Sequence, residues 1–577
     1  PGNILFALET SRVIMELGFQ TKLKVILMTI KYRITSRYKS IGDWHSTVAV
    51  VDGGGERSGR WKAAFSVYHY VSAHPVQAQT GIAIAFIIYY FIVLPIKSPL
   101  WRIPGPYIHR VSYIPCLNAQ RKGEWIRKVH ALHKQFGDVV ILSPNEISVN
   151  GQSKFITDIY VKNFPKSRFY ENFRNHGFKD NIFASLENDR HIKYKRLINN
   201  LYNKSAIFSK ENHTRSVLLK TAAKLVERVG EESPSIDVFT LFGALAMDVV
   251  SRFELGPDNG THLLDLPNER FIIESHRKVS SMGFWTTLMP NFLWDFAATR
   301  ATLKAVDDIC NFQLNLYKFA EKNVSSNGKN LTTMETLKKN GLTGEHCYSF
   351  LTDNLFAGHE TTAVSMTYLC YELSRPAHRK MQETLRNELH EAFPDGQIDL
   401  ETVDNLPYLD ALFSENARVH SSIPGAEPRV VDREYVAGNT VIPKNTVISC
   451  LPYSLHRTPK VFPNPDKFIP ERWLVKNEED KIRVKKQHQY MMPFGKGVRM
   501  CLGMNLAIIE MKLAIANLYW NYSSTIDETW CKILDDDKPI KLGNKCENNT
   551  DQEQMKMFDS YTTRPLLDEC YLKWEKV

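Results

Sequence analysis

Residues 344–373 read as one uninterrupted helix. At roughly 30 residues it is far longer than the ~10–14 usual in globular proteins, so it must cross the core of the domain that contains it. The run 364–370 is apolar, which argues against a surface helix. Yet the middle carries Gly358, Glu360, Thr361 and Thr362. A glycine inside a helix costs about 1 kcal/mol relative to alanine. Close approach of a flat ligand to the backbone at Ala357 and Gly358 is one explanation, and a threonine hydroxyl can distort the ladder there. Glu360 beside Thr361 puts an acid next to an alcohol, a pair suited to proton delivery. A solvent-facing polar patch is the alternative.

A second constraint lies near the C-terminus. Phe494, Gly495, Gly497, Arg499, Cys501 and Gly503 precede an apolar run, 506–518, that reads as another helix. A lone cysteine is most often a buried structural thiol. Here the thiolate form, which binds metals, is favoured by a basic neighbour and a helix N-terminus. The glycines let the loop bend and bring N–H groups toward sulfur.

Two further sets of charges stand out. Glu415 and Arg418 share a helix face at i and i+3, and Arg472, in Phe468-Ile-Pro-Glu-Arg-Trp473, is available as a third member. Exposed, such a pair contributes little. His191, Lys195, Arg196, Arg429 and Arg499 are basic residues that could bind a pair of carboxylates if they converge. Spacing alone does not bring them together.

From residue 111 to 577 no linker or repeat appears, so this stretch reads as one large domain, mostly α with smaller β-sheets (α+β). Helices are expected over 125–136, 191–202, 216–229, 238–253, 302–323, 378–393 and 407–420. Strands are expected over 139–142 and 146–149, a hairpin over 436–450 turning at 443–445, and a last strand over 569–574. The charged stretch 476–486 reads as a solvated loop, and 544–555 as a polar surface insertion.

Residues 1–75 carry no recognisable chemistry and read as an extension of unknown role. Residues 76–96 read as a transmembrane anchor, because 81–94 is uncharged and the run with its flanks reaches the ~20 residues a bilayer requires. Tyr89, Tyr90 and Trp101 suit the interface. Basic residues lie on both sides, so charge does not orient the span. Residues 97–110, with Pro104-Gly105-Pro106, form a stiff hinge. The net charge of +10 over 577 residues is a mild basic bias. It fits an acidic partner or an anionic membrane, and with no basic–aromatic interleaving it gives no case for nucleic acid. Nine dispersed cysteines without a zinc spacing indicate a reducing compartment.

Taken together, Phe494-x-x-Gly497-x-Arg499-x-Cys501-x-Gly503, Ala357-Gly-His-Glu-Thr-Thr362, Glu415-x-x-Arg418 and Arg472 resemble, in order and spacing, the signature elements of the cytochrome P450 superfamily, and most closely its fungal microsomal members. The resemblance covers about residues 104–577. It implies haem b with Cys501 as axial thiolate and Phe494 beside the sulfur. Arg499, His191 and Arg429 would bind the propionates, with Lys195 or Arg196 sharing that contact. Glu360 and Thr361 would deliver protons during oxygen activation. Phe350, Asp353, Asn354, Ile423 and Ala426, with 169–178, would line a substrate pocket in which Asp353 is unusually polar.

The implied protein is a monooxygenase of hydrophobic or aromatic small molecules, anchored in the endoplasmic reticulum membrane and facing the cytosol. Electrons would come from NADPH through a cytochrome P450 reductase, and possibly a cytochrome b-type donor, docking near Lys193, Lys195 and Lys496. The alternatives are a non-catalytic haem sensor or carrier, and an O2-independent peroxide-rearranging enzyme. The acid–threonine pair argues against the latter.

Overall fold

The computed structural model describes residues 75–174, 179–288, 297–323 and 330–577. It divides into two units, Pro1–Ile92 and Val93–Val577. In the first, helix α1 (Pro75–Ile88) leads into a π-helical turn, Tyr89–Val93, whose last residue opens the second unit. Among the described side chains of α1, Val76, Ile84, Phe86, Ile87 and Ile88 are exposed. The single spanning helix expected over 76–96 is not met: the run is broken into α1, the π turn and a short helix Leu94–Lys97. Among the described residues no helix is long and apolar enough to cross a membrane. The expected extension 1–75 lies outside the described residues except for Pro75.

The second unit is built from helices α2 (Trp125–Phe136), α3 (Asn188–Ile198), α4 (His213–Glu232), α5 (Val238–Leu255), α6 (Phe271–Ser280), α7 (Arg300–Lys322), α8 (Gly344–Ser374), α9 (Arg379–Ala392), α10 (Pro407–Val419), α11 (Glu478–Tyr490) and α12 (Met504–Asn521). Helix α8 is the long central helix foreseen from its length, and 21 of its 31 residues are buried. It packs along α5, itself buried on nearly every face. A helix apolar all round belongs in a core.

Four strands, β1 (Val139–Ser143), β2 (Glu146–Val149), β4 (Arg429–Val430) and β7 (Val447–Ser449), form a sheet in the order β1-β2-β7-β4. The β1/β2 hairpin is antiparallel, β2 and β7 are parallel, and β4 returns antiparallel to β7. Strands β3 (Ser235–Asp237), β8 (Tyr522–Ile526) and β11 (Tyr571–Lys576) make an antiparallel sheet with β11 in the middle, and β9 (Met557–Phe558) pairs with β10 (Arg564–Pro565). The expected hairpin over 436–450 turns elsewhere. Strands β5 (Tyr435–Ala437) and β6 (Thr440–Ile442) close at Gly438, whose φ of +61° suits the turn. The residues after Asn445 leave to join β2 as β7.

Two polar stretches depart from expectation, the first being solvated but helical and the second partly buried. Residues 476–486 are largely helical, as the start of α11, because Asn477 caps the Asp480 N–H at 2.9 Å and Glu478, Glu479 and Asp480 crowd the first turn. Acidic side chains there oppose the positive end of the helix dipole. Within 544–555, Asp551 is fully buried and accepts from the Tyr371 hydroxyl at 2.6 Å on α8. The stretch is anchored to the central helix.

Candidate active site

Helix α12 begins at Met504, three residues after Cys501. The Cys501 N–H donates to the Phe494 carbonyl at 2.8 Å, closing a loop that presents the sulfur at the helix mouth. Burial and the Glu427 charge push the Cys501 thiol up, while the Gly503 and Met504 N–H groups and the charge of Lys195 pull toward the thiolate. Cys501 nonetheless keeps exposed surface although protein surrounds it. A thiolate ligand needs that combination: donors behind the sulfur and an open front.

The loop's glycines have separate causes. Gly497 has φ +72°, and a Cβ there would lie 2.2 Å from the Tyr160 carbonyl oxygen. Gly503 has φ −82° and its nearest neighbour would be Tyr202 at 3.9 Å, so nothing there demands glycine. Gly358, attributed above to ligand approach, answers instead to helix packing. Its Cβ would meet Val250 Cγ2 of α5 at 2.8 Å.

The basic residues converge in part. His191 and Arg429 are 3% and 1% exposed, and Arg499 reaches across to the 185–188 segment. Each leaves one nitrogen buried and unpartnered: His191 Nδ1, Arg429 Nε and Arg499 Nε. Burial, then Arg499, Lys166, Lys195 and Arg429, push His191 down to about 2, so it stays neutral. The two guanidinium groups, each with a buried Nε–H to spare, are complementary to carboxylates, and the neutral imidazole adds a polar edge.

Lys195 does something else. Its ammonium donates to the carbonyls of Val498 and Met500 at 2.9 and 3.1 Å, clasping the Cys501 loop. Arg196 is exposed on α3, in a shallow surface depression with Asp189 and Lys193, and does not join the cluster. Lys166, not singled out in the sequence, does. It is 6% exposed and within electrostatic reach of Arg429 and Arg499. No local pattern marks it; only its burial does.

On α8, Asp353, Ala357 and Thr361 share one face at four-residue spacing. Ala357 is exposed and its two partners partly so, although most of the helix is buried. The Thr361 hydroxyl donates back to the Ala357 carbonyl at 2.7 Å. Glu360 turns away from Thr361. It is 7% exposed, and its Oε2 has no partner. Burial raises its carboxyl above the usual range, while Arg564 and the hydroxyls of Ser280 and Thr562 pull the other way. The acid and the alcohol thus flank different sides of the helix rather than touching.

Ser422 donates to the Thr361 carbonyl at 2.9 Å and meets Ser365 at 2.8 Å, which ties the 421–429 segment, with Ile423 and Ala426 partly exposed, to this part of α8. Two expected pocket residues are placed otherwise. Phe350 is 1% exposed and packs edge-on against Tyr194 at 5.0 Å. Asn354 donates to the buried Glu254 of α5 at 2.7 Å. Of the stretch 169–178, residues 175–178 lie outside the described residues.

Glu415 and Arg418 are wholly buried. Arg418 forms a bidentate pair with Glu415 at 2.7 and 2.9 Å, Arg472 Nε joins at 3.2 Å, and the Trp473 indole and Ile469 N–H complete the carboxylate at 2.8 Å each. The remaining Arg418 donors hold the carbonyls of His456, Pro465 and Lys467. This triad is structural, as expected: it fastens α10 to the 456–473 meander.

The residues present fit a haem. Cys501 supplies a thiolate with an open front, the three unpartnered nitrogens suit two propionates, and the Ala357 face of α8 offers a wall without bulky side chains.

Comparison with known proteins agrees. The family model described as Cytochrome P450 matches residues 104–548. The chain is 27% identical over 443 residues to the cytochrome P450 monooxygenase FGM1 of Gibberella zeae, covering 72% of this chain and 85% of that one. It is 28% identical over 450 residues to the cytochrome P450 monooxygenase hkm5 of Aspergillus hancockii, covering 74% and 86%. Against BOT1, a cytochrome P450 monooxygenase of Botryotinia fuckeliana, it is 26% identical over 464 residues, covering 75% and 86%.

Proposed function

Because this chain belongs to the cytochrome P450 family of haem–thiolate monooxygenases, we propose that it oxidises a hydrophobic or aromatic small molecule at the endoplasmic reticulum membrane, with its catalytic domain facing the cytosol. Electrons come from NADPH through a flavoprotein reductase, with a cytochrome b-type protein as a further donor.

When bound, haem supplies the redox centre at which O2 is split between substrate and water. The chain's own residues do the rest. Cys501 would be its ligand, with Gly503, Met504 and Lys195 favouring the thiolate. His191, Arg429 and Arg499 would hold its propionates. Glu360, its carboxyl raised by burial, is the acid of the pair. The Thr361 hydroxyl, on the Ala357 side of α8, is the relay, and because it does not touch Glu360 a water must carry the proton between them. The carrying observation is the exposed Cys501 at the mouth of α12, on a loop closed by its own N–H to the Phe494 carbonyl at 2.8 Å.

The exposed apolar side chains of α1 and the following π turn support the membrane address. Lys193 and Lys496 support an acidic reductase surface as partner.

The test is the reduced carbon monoxide difference spectrum of the purified protein. A Soret band at the thiolate position is expected, and Cys501→Ala abolishes it. Folded protein that binds no haem sinks the reading. NADPH consumption with reductase and substrate then separates an oxygenase from a haem carrier, which would show none.

A further inference from the structure

Glu427 is an acid set among the bases that suit the propionates. Its Oε2 lies 3.6 Å from Arg429 Nη2, a charge pair too long for a hydrogen bond. The same carboxylate stands against the ligand loop: a Cβ on Gly495 would lie 3.5 Å from both of its oxygens. Tyr160 fixes this arrangement. Its hydroxyl donates to the Glu427 carbonyl at 3.0 Å and accepts the Cys450 N–H at 2.9 Å, while its ring lies 5.1 Å from the Arg429 guanidinium. Glu427 keeps 21% of its side chain exposed although protein surrounds it, as Cys501 keeps exposed surface.

The donors of Arg429 are slack. Nη1 reaches the Tyr170 hydroxyl at 3.4 Å, Nη2 has Glu427 at 3.6 Å, and Nε is buried without a partner. Arg418, equally buried, makes five hydrogen bonds of 2.6–3.0 Å. The neighbouring cations are better held. Arg499 donates to the Ser185 and Leu186 carbonyls and to Asn188, and Lys166 donates to the Phe183 carbonyl at 2.6 Å. Arg429 is thus the cation of the cluster with room for a further acceptor, and Glu427 is the acid already beside it.

From this arrangement we infer that Glu427 shares Arg429 with a haem propionate and acts as a counterweight, loosening the hold on the cofactor and disfavouring reduction of its iron. The inference rests on the haem–thiolate reading and deepens it. A propionate on the spare Nε of Arg429 would meet the Glu427 carboxylate as a like charge on the same guanidinium. The same negative charge opposes the electron that converts ferric to ferrous iron. Glu427 has a use before the cofactor arrives as well: a buried cation without a counter-charge is costly, and Glu427 answers Arg429 until a propionate does. Burial raises the Glu427 carboxyl, and the charges of Arg429 and Lys166 draw it back toward the ionised form.

The test uses the haem-loaded full chain and two variants, Glu427→Gln, which keeps the shape without the charge, and Glu427→Asp, which keeps the charge. Two quantities are read: the rate at which haem is lost to excess apomyoglobin, and the midpoint potential from a spectroelectrochemical titration. Glu427→Gln should slow haem loss about tenfold and shift the ferric–ferrous equilibrium about tenfold toward ferrous, 59 mV for one electron. Glu427→Asp should stay within about twofold of the unaltered protein in both. A residue that merely supports the fold would speed haem loss when altered, so faster or unchanged loss in Glu427→Gln overturns the inference. An unchanged potential does the same, and so does an Asp variant that moves as far as the Gln one. The carbon monoxide band of the unaltered protein is recorded first: its absence removes the haem–thiolate reading itself, whereas a normal band with unmoved release and potential removes only the role of Glu427.

Discussion

Lys195 on α3 is hydrogen-bonded to the carbonyl of Met500, the residue immediately before Cys501. A side chain expected to meet a cofactor carboxylate is instead a fastener of the ligand loop, and its charge also favours the thiolate.

Lys195→Met removes that fastener and the charge together. Hydrogen bonds from a charged donor contribute about 1.5–3 kcal/mol. The variant should melt earlier, and part of its reduced carbon monoxide band should move from the thiolate to the thiol position. An unchanged melting curve and band would show that the loop holds its shape unaided.

The loop's glycines should respond unequally. Gly497→Ala forces a left-handed φ and drives a methyl into the Tyr160 carbonyl, so a loss of about 2 kcal/mol or more is expected. Gly503→Ala meets neither obstacle and should stay within about 0.5 kcal/mol. Denaturant midpoints of the two variants check this; equal costs would contradict the geometry.

Glu415→Gln leaves Arg418 and Arg472 buried without their counter-charge. Breaking a buried pair from one side costs about 3–5 kcal/mol. The readout is the urea midpoint together with the fraction of purified protein that retains haem. Since the triad touches no substrate, substrate affinity per haem-loaded molecule should not change.

Asp559 gives a pH dependence. Its carboxylate accepts from the Ile126 N–H at 2.7 Å, at the start of α2, yet burial raises it from 3.8 to about 7. A raised folded-state value means that the folded protein holds a proton the unfolded chain has released. The stabilisation is therefore complete below about pH 4 and is lost as pH rises through about 7. Asp559→Asn keeps an acceptor but cannot titrate. Its denaturation midpoint should vary less across that interval than that of the unaltered protein, and parallel curves would rule out the assignment.

Much of this was legible along the chain. The length and apolarity of 344–373 placed α8 within one residue of its observed end, and Phe494–Gly503 marked the ligand loop, because both depend on local sequence. What escaped depends on distant partners. Lys166 looks like any surface lysine until α8 and Phe183 close around it. Gly358 was assigned to a ligand because Val250, more than a hundred positions earlier, is invisible from its neighbours. Asp551 sits in a polar stretch whose composition suggests solvent, while Tyr371 draws it inward. The start of α11 was a different kind of miss: Asn477 followed by three acids is a local capping signal, masked by the overall charge of the segment.

Strand β11 pairs on one side with β3 and on the other with β8, so the middle of that sheet leaves the ribosome after both its edges. Until residue 571 emerges, β3 and β8 have no strand between them. The Cys570 carbonyl that receives the Val238 N–H at the head of α5 is also missing. Domains generally fold as units during synthesis; here the head of α5 lacks that partner until residue 570 is made, and a nascent chain stalled before that point presents two open strand edges to whatever is nearby.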